Sequence, residues 1–305
     1  MTGLRLNVTT NFSDPTNELP VLRDDYLLTR GSLVLIDFAH SADPLVGVPA
    51  EGALIPNIAW KEAAELHGSG SKTDWAMMFS RVLAQSPGGD GFVERSTKGG
   101  VHVVMSQATQ TGIGKGAYIG RTAGGFDTKL RVYLFNHLDH VFYFSSWERK
   151  TRLALASSPE ASEALIWSNS GSATVNNLIL EDRTVNRSGS AQQGSRSVPA
   201  LPVSATGNTF RNVAGKWALP SGNPSGANQI GVSLMAIGQM PSPYAGFGAN
   251  KSRSAVLYRS YLEDLTVSGR TFGEVDAIDK ALFDQAFGPG GRYFGDTFTD
   301  PATYP

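Results

Sequence analysis

The chain is broken into short runs of β-branched and aromatic residues, and nearly every run ends in a cluster of Gly, Asn, Ser or Pro. Leu33–Phe38, Val101–Met105, Leu130–Phe135, Val141–Phe144, Arg152–Leu155, Leu178–Leu180, Ile230–Ile237 and Ala255–Leu262 are each too brief for an ordinary helix and rich in strand formers. In the clearest of them Ile230, Val232, Leu234 and Ala236 alternate, so one face points into a core while Ser233 points away. Runs of this kind, punctuated by turn residues, predict an all-β chain folded as a two-sheet sandwich. No period of repeat length is visible, which argues against a propeller or solenoid.

Composition narrows the chemistry. Cysteine is absent from all 305 residues, so disulfides, thiol catalysis and cysteine metal ligands are excluded. Only 17% of residues are charged, and 34 glycines are present, so loops and surface must be built from Ser, Thr, Asn and Gly. The net charge of -1, with no basic block, argues against a nucleic-acid partner, because neutralising phosphates needs clustered Lys or Arg. No run is long and apolar enough to predict membrane insertion. The opening Met1–Asn7 lacks the apolar heart of a signal peptide, so general secretion is not expected.

A few helices are expected among the strands. Trp60, Ala63, Ala64 and His67 share one helical face, with Gly68 as the stop. Trp75, Met78, Phe79, Val82 and Leu83 also fit a helix capped by Asp74, although Trp75–Phe79 reads equally as a buried strand. The best-signalled helix lies near the end: Thr271 and Glu274 have capping-box spacing, Val275, Ile278, Leu282 and Phe283 form the stripe, and Gly288-Pro289 ends it. Arg187–Ser197 and Ser221–Asn228 offer little to bury and are expected to be surface loops. Residues 1–30 read as an extended N-terminal arm, the alternative being a frayed terminus, and residues 31–305 as the sandwich domain. The arm nonetheless carries Leu4, Leu6, Val8, Leu19, Val21 and Leu22, which suit a segment laid on a sheet edge of its own or another subunit.

Catalytic patterns are tested and found wanting. His137 and His140 are the close histidine pair; Asn136–Asp139 reads as a hairpin turn, and zinc needs three or four converging ligands, so no metal is expected. Gly112–Gly116 has neither the spacing nor the Ser or Thr of a phosphate loop. There is no G-x-S-x-G elbow and no calcium loop. Sugar hydrolysis needs two facing carboxylates, whereas Glu263 and Asp264 are adjacent on a strand and point to opposite faces, and Glu160 and Glu163 lie in a Pro- and Ser-flanked segment. Trp217, Tyr244 and Phe247 sit among Gly, Pro and Ser and are the candidate glycan contacts, the alternative being that each ring plugs its loop onto the sheet.

Ser254–Thr271 with the capped helix after it, Gly31–Phe38, Ile55–Ala59 and Phe287–Asp296 together resemble concanavalin A-like (laminin-G-type) jelly-roll modules, more narrowly those of tailed-bacteriophage structural proteins. The segments cover about a quarter of the chain, from both its ends. The resemblance implies a jelly-roll sandwich and a non-enzymatic virion protein of tail, baseplate or capsid surface, with no cofactor. Its implied partners are other virion proteins, identical subunits and a host-surface polysaccharide. A polysaccharide-degrading enzyme, hydrolase or lyase, on the same scaffold is the alternative. A cleft with two facing carboxylates would separate the two.

Overall fold

The computed structural model describes residues 25–83, 89–109, 115–122, 128–155, 162–169, 174–181, 192–198, 206–216, 224–237 and 252–304. The all-β expectation holds: two antiparallel sheets face each other, with a few short helices at their margins. The larger sheet runs β10 (Gln192–Val198), β11 (Gly207–Gly215), β7 (Phe142–Arg152), β13 (Ser254–Asp264), β5 (Val101–Met105) and β4 (Gly91–Arg95). The second runs β2 (Leu54–Ile55), β3 (Met77–Val82), β6 (Gly116–Thr122), β12 (Ile230–Ile237), β8 (Ser162–Asn169) and β9 (Thr174–Glu181). Leu33, Ile36, Val103, Phe144 and Leu257 of the first meet Met77, Phe79, Ile119, Val232 and Leu234 of the second in one apolar core.

β13 organises the larger sheet. One edge pairs with β7 along its whole length, and the other is shared end to end by β5, opposite Ala255–Leu257, and β1 (Ser32–Asp37), opposite Arg259–Glu263. The register against β7 shifts between Leu257 and Arg259. An extra residue of this kind turns two successive side chains to one face. Tyr258 and Arg259 accordingly both lie on the outer face, where Tyr258 meets Tyr293 and Arg259 covers the Trp147 ring.

That outer face is sealed by helix α4 (Phe272–Phe287) and the chain that follows it. The capping box forms as the sequence predicts, with Glu274 N–H donating to Thr271 Oγ1 and Thr271 N–H donating to Glu274. Gly288 ends the helix. The buried stripe differs in detail: Val275 and Phe283 are buried, Ile278 and Leu282 are half-buried, and Asp276 and Asp279 point into the sheet. Asp279 accepts from Tyr143 Oη and Trp147 Nε1, both at 2.9 Å, and Asp276 accepts from Asn212 Nδ2 at 2.7 Å. Hydrogen bonding of this completeness is what lets an acid replace an apolar residue in a buried stripe.

Several expectations are corrected. Leu130–Phe135 lies in helix α2 (Lys129–Asn136), where Leu130, Tyr133 and Leu134 bury a 3.6-residue face that aromatic and branched residues made look like a strand. Trp75–Leu83 contains β3 instead of a helix: Met77 and Phe79 point inward at a period of two, and Asp74 accepts from Ser71 N–H at 2.7 Å in a turn. Strand β10 occupies part of the expected loop Arg187–Ser197, since pairing with β11 satisfies a polar strand's backbone without demanding apolar side chains. The Arg152–Leu155 run keeps only its first residue in β7; Arg152 instead donates to the carbonyls of Pro301 and Tyr304 at 2.6 and 2.8 Å. Helix α1 (Trp60–His67) stands where expected, with Gly68 left-handed at φ 78°.

Residues 1–24 of the expected arm lie outside the described residues. The remainder of that segment packs on the sandwich. Leu27 is fully buried, and its carbonyl accepts from Tyr261 Oη and Arg270 Nη2, each at 2.8 Å.

Candidate functional site

Asp37 ends β1 as the one charge in that strand, after the apolar run Leu33–Ile36, and Arg259 is the one charge in the middle of β13. β1 pairs with β13 so that the two are opposite in register. Arg259 donates through Nη1 to Asp37 at 3.2 Å and through Nη2 to Asp25 at 2.8 Å. Asp37 also accepts from Tyr293 Oη at 2.9 Å and from Arg292. Burial opposes the charge on Arg259, but the two carboxylates outweigh it and hold its pKa above the usual value. Burial likewise works against the Asp25 carboxylate, and Arg259 outweighs it, leaving that pKa lowered.

A cleft of about 690 Å³ opens beside this network, between Asp25–Tyr26, the loop at His40–Ser41 and the turn Gly288–Arg292 after α4. Trp147, Leu282 and Ala286 lie at its base. The turn is held close: a Cβ on Gly291 would run into the carbonyls of Gln285 and Ala286, and Gly290 has φ 80°. His40 Nδ1 accepts from Ala42 N–H at 3.1 Å, and its Nε2 faces Asp25 at 3.7 Å. Burial lowers the His40 pKa against the opposing pull of Asp37 and Asp25, so the ring is neutral at neutral pH.

Two carboxylates beside this cleft are already engaged. Asp37 is buried and saturated by two guanidiniums and a phenol, and Asp25 is paired with Arg259.

Other titratable groups are also built into the scaffold. Glu263 accepts from Tyr261 Oη at 2.9 Å and from Arg270 Nε at 3.0 Å on the outer face. Asp264 accepts from Tyr133 Oη at 2.7 Å on the core side and caps the short helix α3 (Leu265–Ser268) through Val267 N–H. The two therefore diverge, as their adjacency on a strand predicts. His140 Nδ1 donates to Asp264 at 2.6 Å and His137 Nδ1 to the Tyr133 carbonyl at 2.7 Å. Their rings are 4.7 Å apart, at the C-terminal end of α2 and the turn after it instead of a hairpin. His102, buried in β5, donates to Glu94 at 2.7 Å and accepts from Thr151 at 3.0 Å, while Thr299 donates to the same Glu94. This chain has the order of a hydroxyl-activating relay, but Phe298 packs on the imidazole and the C-terminal segment is its fourth member, so it acts as a clasp.

Trp217, Tyr244 and Phe247, the candidate glycan contacts, lie outside the described residues, as does Glu160. Asp25, Asp37, His40, Arg259 and Arg292 were not singled out from the sequence. The available signal was a lone Asp and a lone Arg in two apolar runs, because a charge in a buried strand must be paired.

No family model matches the chain, and no curated protein matches it. A similarity to a solved structure is found for Trypanosoma rangeli sialidase in complex with 2,3-difluorosialic acid, a covalent intermediate. It is 13% identical, covers 78% of this chain and 31% of that chain, and has a TM-score of 0.34. The chain thus matches under a third of that protein's length, and a likeness of this strength transfers neither fold nor chemistry.

Proposed function

We propose that the chain is a non-enzymatic structural protein of a tailed-bacteriophage virion, a tail, baseplate or capsid-decorating component built on a concanavalin A-like jelly roll. The observation that carries this reading is the convergence of the resembling segments. Asp37 comes from Gly31–Phe38, Arg259 from Ser254–Thr271, and Arg292 and Tyr293 from Phe287–Asp296, and all four meet in one hydrogen-bonded cluster. The fourth segment joins them through β1: Asn57 Oδ1 accepts from Leu35 N–H and its Nδ2 donates to the Leu33 carbonyl, both at 2.9 Å. The pieces that carry the resemblance are therefore one structural unit.

The engagement of Asp25 and Asp37 with arginine supports a scaffold over a polysaccharide-degrading enzyme. Other virion proteins and identical subunits are the partners in this reading. Its test is co-purification of the chain with phage particles through a density gradient, together with an assay for reducing ends released from host-surface polysaccharide. Presence in particles without release is expected. Turnover by the free chain, lost on substitution of a cleft carboxylate, would replace this reading with the enzymatic one.

A further inference from the structure

A second cleft, of about 340 Å³, opens on the outer face of the larger sheet where helix α4 runs out. Trp147 of β7 and Phe210 of β11 are opposite in register there, and both rings pack on Phe283 of the helix. Two residues on in β7 and two back in β11, where side chains return to the same face, stand Arg149 and Asn208, again opposite in register. They line the cleft together with Phe287, the last residue of the helix, and Tyr293–Gly295 of the returning chain.

Arg259, Arg270 and Arg292, on the same face, each hold a carboxylate. Arg149 holds none among the described residues. Its guanidinium lies 5.2 Å over the Phe298 ring, which sets it beside the returning chain, and its one hydrogen bond is long, 3.5 Å from Nη1 to the Asp296 carbonyl. The Asp296 carboxylate accepts instead from Tyr258 Oη, Thr97 Oγ1 and Lys98 N–H. Nε and Nη2 of Arg149 therefore have no acceptor among the described residues, and the buried Asn208 amide oxygen has no donor. The cleft thus holds a charge and a polar group that the fold itself does not use, and such groups are costly until something completes them.

We infer that this cleft binds an organic carboxylate with a flat apolar body, the carboxylate on the Arg149 guanidinium and the body along Phe287. A guanidinium is a planar fork whose parallel N–H donors match the two oxygens of a carboxylate. Arg149 is the one charged residue lining the cleft, so a single negative charge balances it, whereas a phosphate dianion calls for more. The Phe287 ring, half-buried and held at 5.4 Å from Tyr293 and 6.4 Å from Trp147, supplies a fixed apolar wall. The inference is independent of the virion reading, which gives this cleft no role.

The test is a ligand-observed NMR titration of the full chain, at low salt, with phenylacetate, its uncharged isostere phenylacetamide and inorganic phosphate. Phenylacetate should bind about tenfold or more tightly than the amide, and phosphate at equal concentration should not displace it. Arg149→Gln should bring acid and amide to the same affinity, while Arg149→Lys, which keeps the charge and loses the fork, should recover part of the difference. Both variants should melt with the parent; if the Gln variant does not fold, the comparison of acid with amide in the parent and in the Lys variant still decides. No binding of phenylacetate, equal affinity for acid and amide in the parent, displacement by phosphate, or a preference that survives Arg149→Gln would overturn the inference.

Discussion

The guanidinium of Arg259, 2% exposed in the middle of β13, lies 3.2 Å from the fully buried Asp37 carboxylate at the end of β1 and reaches Asp25 with its other nitrogen. One side chain thereby ties the first strand and the segment before it to the central strand of the larger sheet. Arg259→Met should leave the buried Asp25 carboxylate without its guanidinium and Asp37 with Arg292 alone, and cost about 3–5 kcal/mol in urea unfolding. Arg259→Lys should restore little, because a single ammonium cannot span both acids as the planar fork does. A loss below about 1 kcal/mol for the Met variant would show that the pair is dispensable.

Helix α4 gives a graded series. Phe283, which packs on Trp147 and Phe210 at ring distances of 5.7 Å, should cost about 3–5 kcal/mol when changed to Ala. Leu282 is half-buried at the cleft, so Leu282→Ala should cost less than about 2 kcal/mol, below the full range for a buried leucine. Equal losses in denaturation would contradict the way the helix faces the sheet.

The ending of the arm can be located by truncation. A chain starting at Asp25 keeps the Asp25–Arg259 ion pair and the buried Leu27, whereas one starting at Gly31 loses both and keeps only the Asp37–Arg259 pair. The shorter chain should therefore melt well below the longer one, and no difference between them would show that residues 25–30 add nothing to the fold.

Stability should fall as the solution is acidified from about pH 7 toward about pH 5. Burial lowers the pKa of His102 and of His40, outweighing their carboxylate neighbours. A histidine whose folded pKa is depressed contributes stability that is complete above its unfolded pKa of about 6.5 and is lost as pH falls through the folded value. The lowered pKa of Asp25 adds a separate loss below the ordinary carboxylate range. Asp279, raised by burial, works in the opposite sense and resists acid. Melting temperatures of the parent and of His102→Gln across this range check the account, and the variant should show a flatter dependence.

What could be read from the sequence follows from where the signals are local. The capping box of α4 and the Gly68 stop of α1 are written within a few residues, and both appear in the structure. In β12 Ile230, Val232 and Leu234 reach the core as their alternation predicts, but a register shift between Ser233 and Met235 brings Met235 and Ile237 there in place of Ala236, and Ser233 is buried as well. Strands β4, β6 and β11 escaped because their Gly, Arg and Asn residues hide the pattern, while pairing in the sheet supplies what propensity lacks. The site escaped for a different reason. Asp37 and Arg259 are 222 positions apart, and only the β1–β13 register brings them together. Two opposite charges in apolar runs announce that partners exist without naming them.

The most direct test of the proposed role is immunogold electron microscopy of tailed-phage particles with antibody raised against this chain. Gold confined to one fixed position on each particle, at the tail, baseplate or capsid surface, is the expected result. Particles left bare while the chain remains in the unassembled fraction would contradict it.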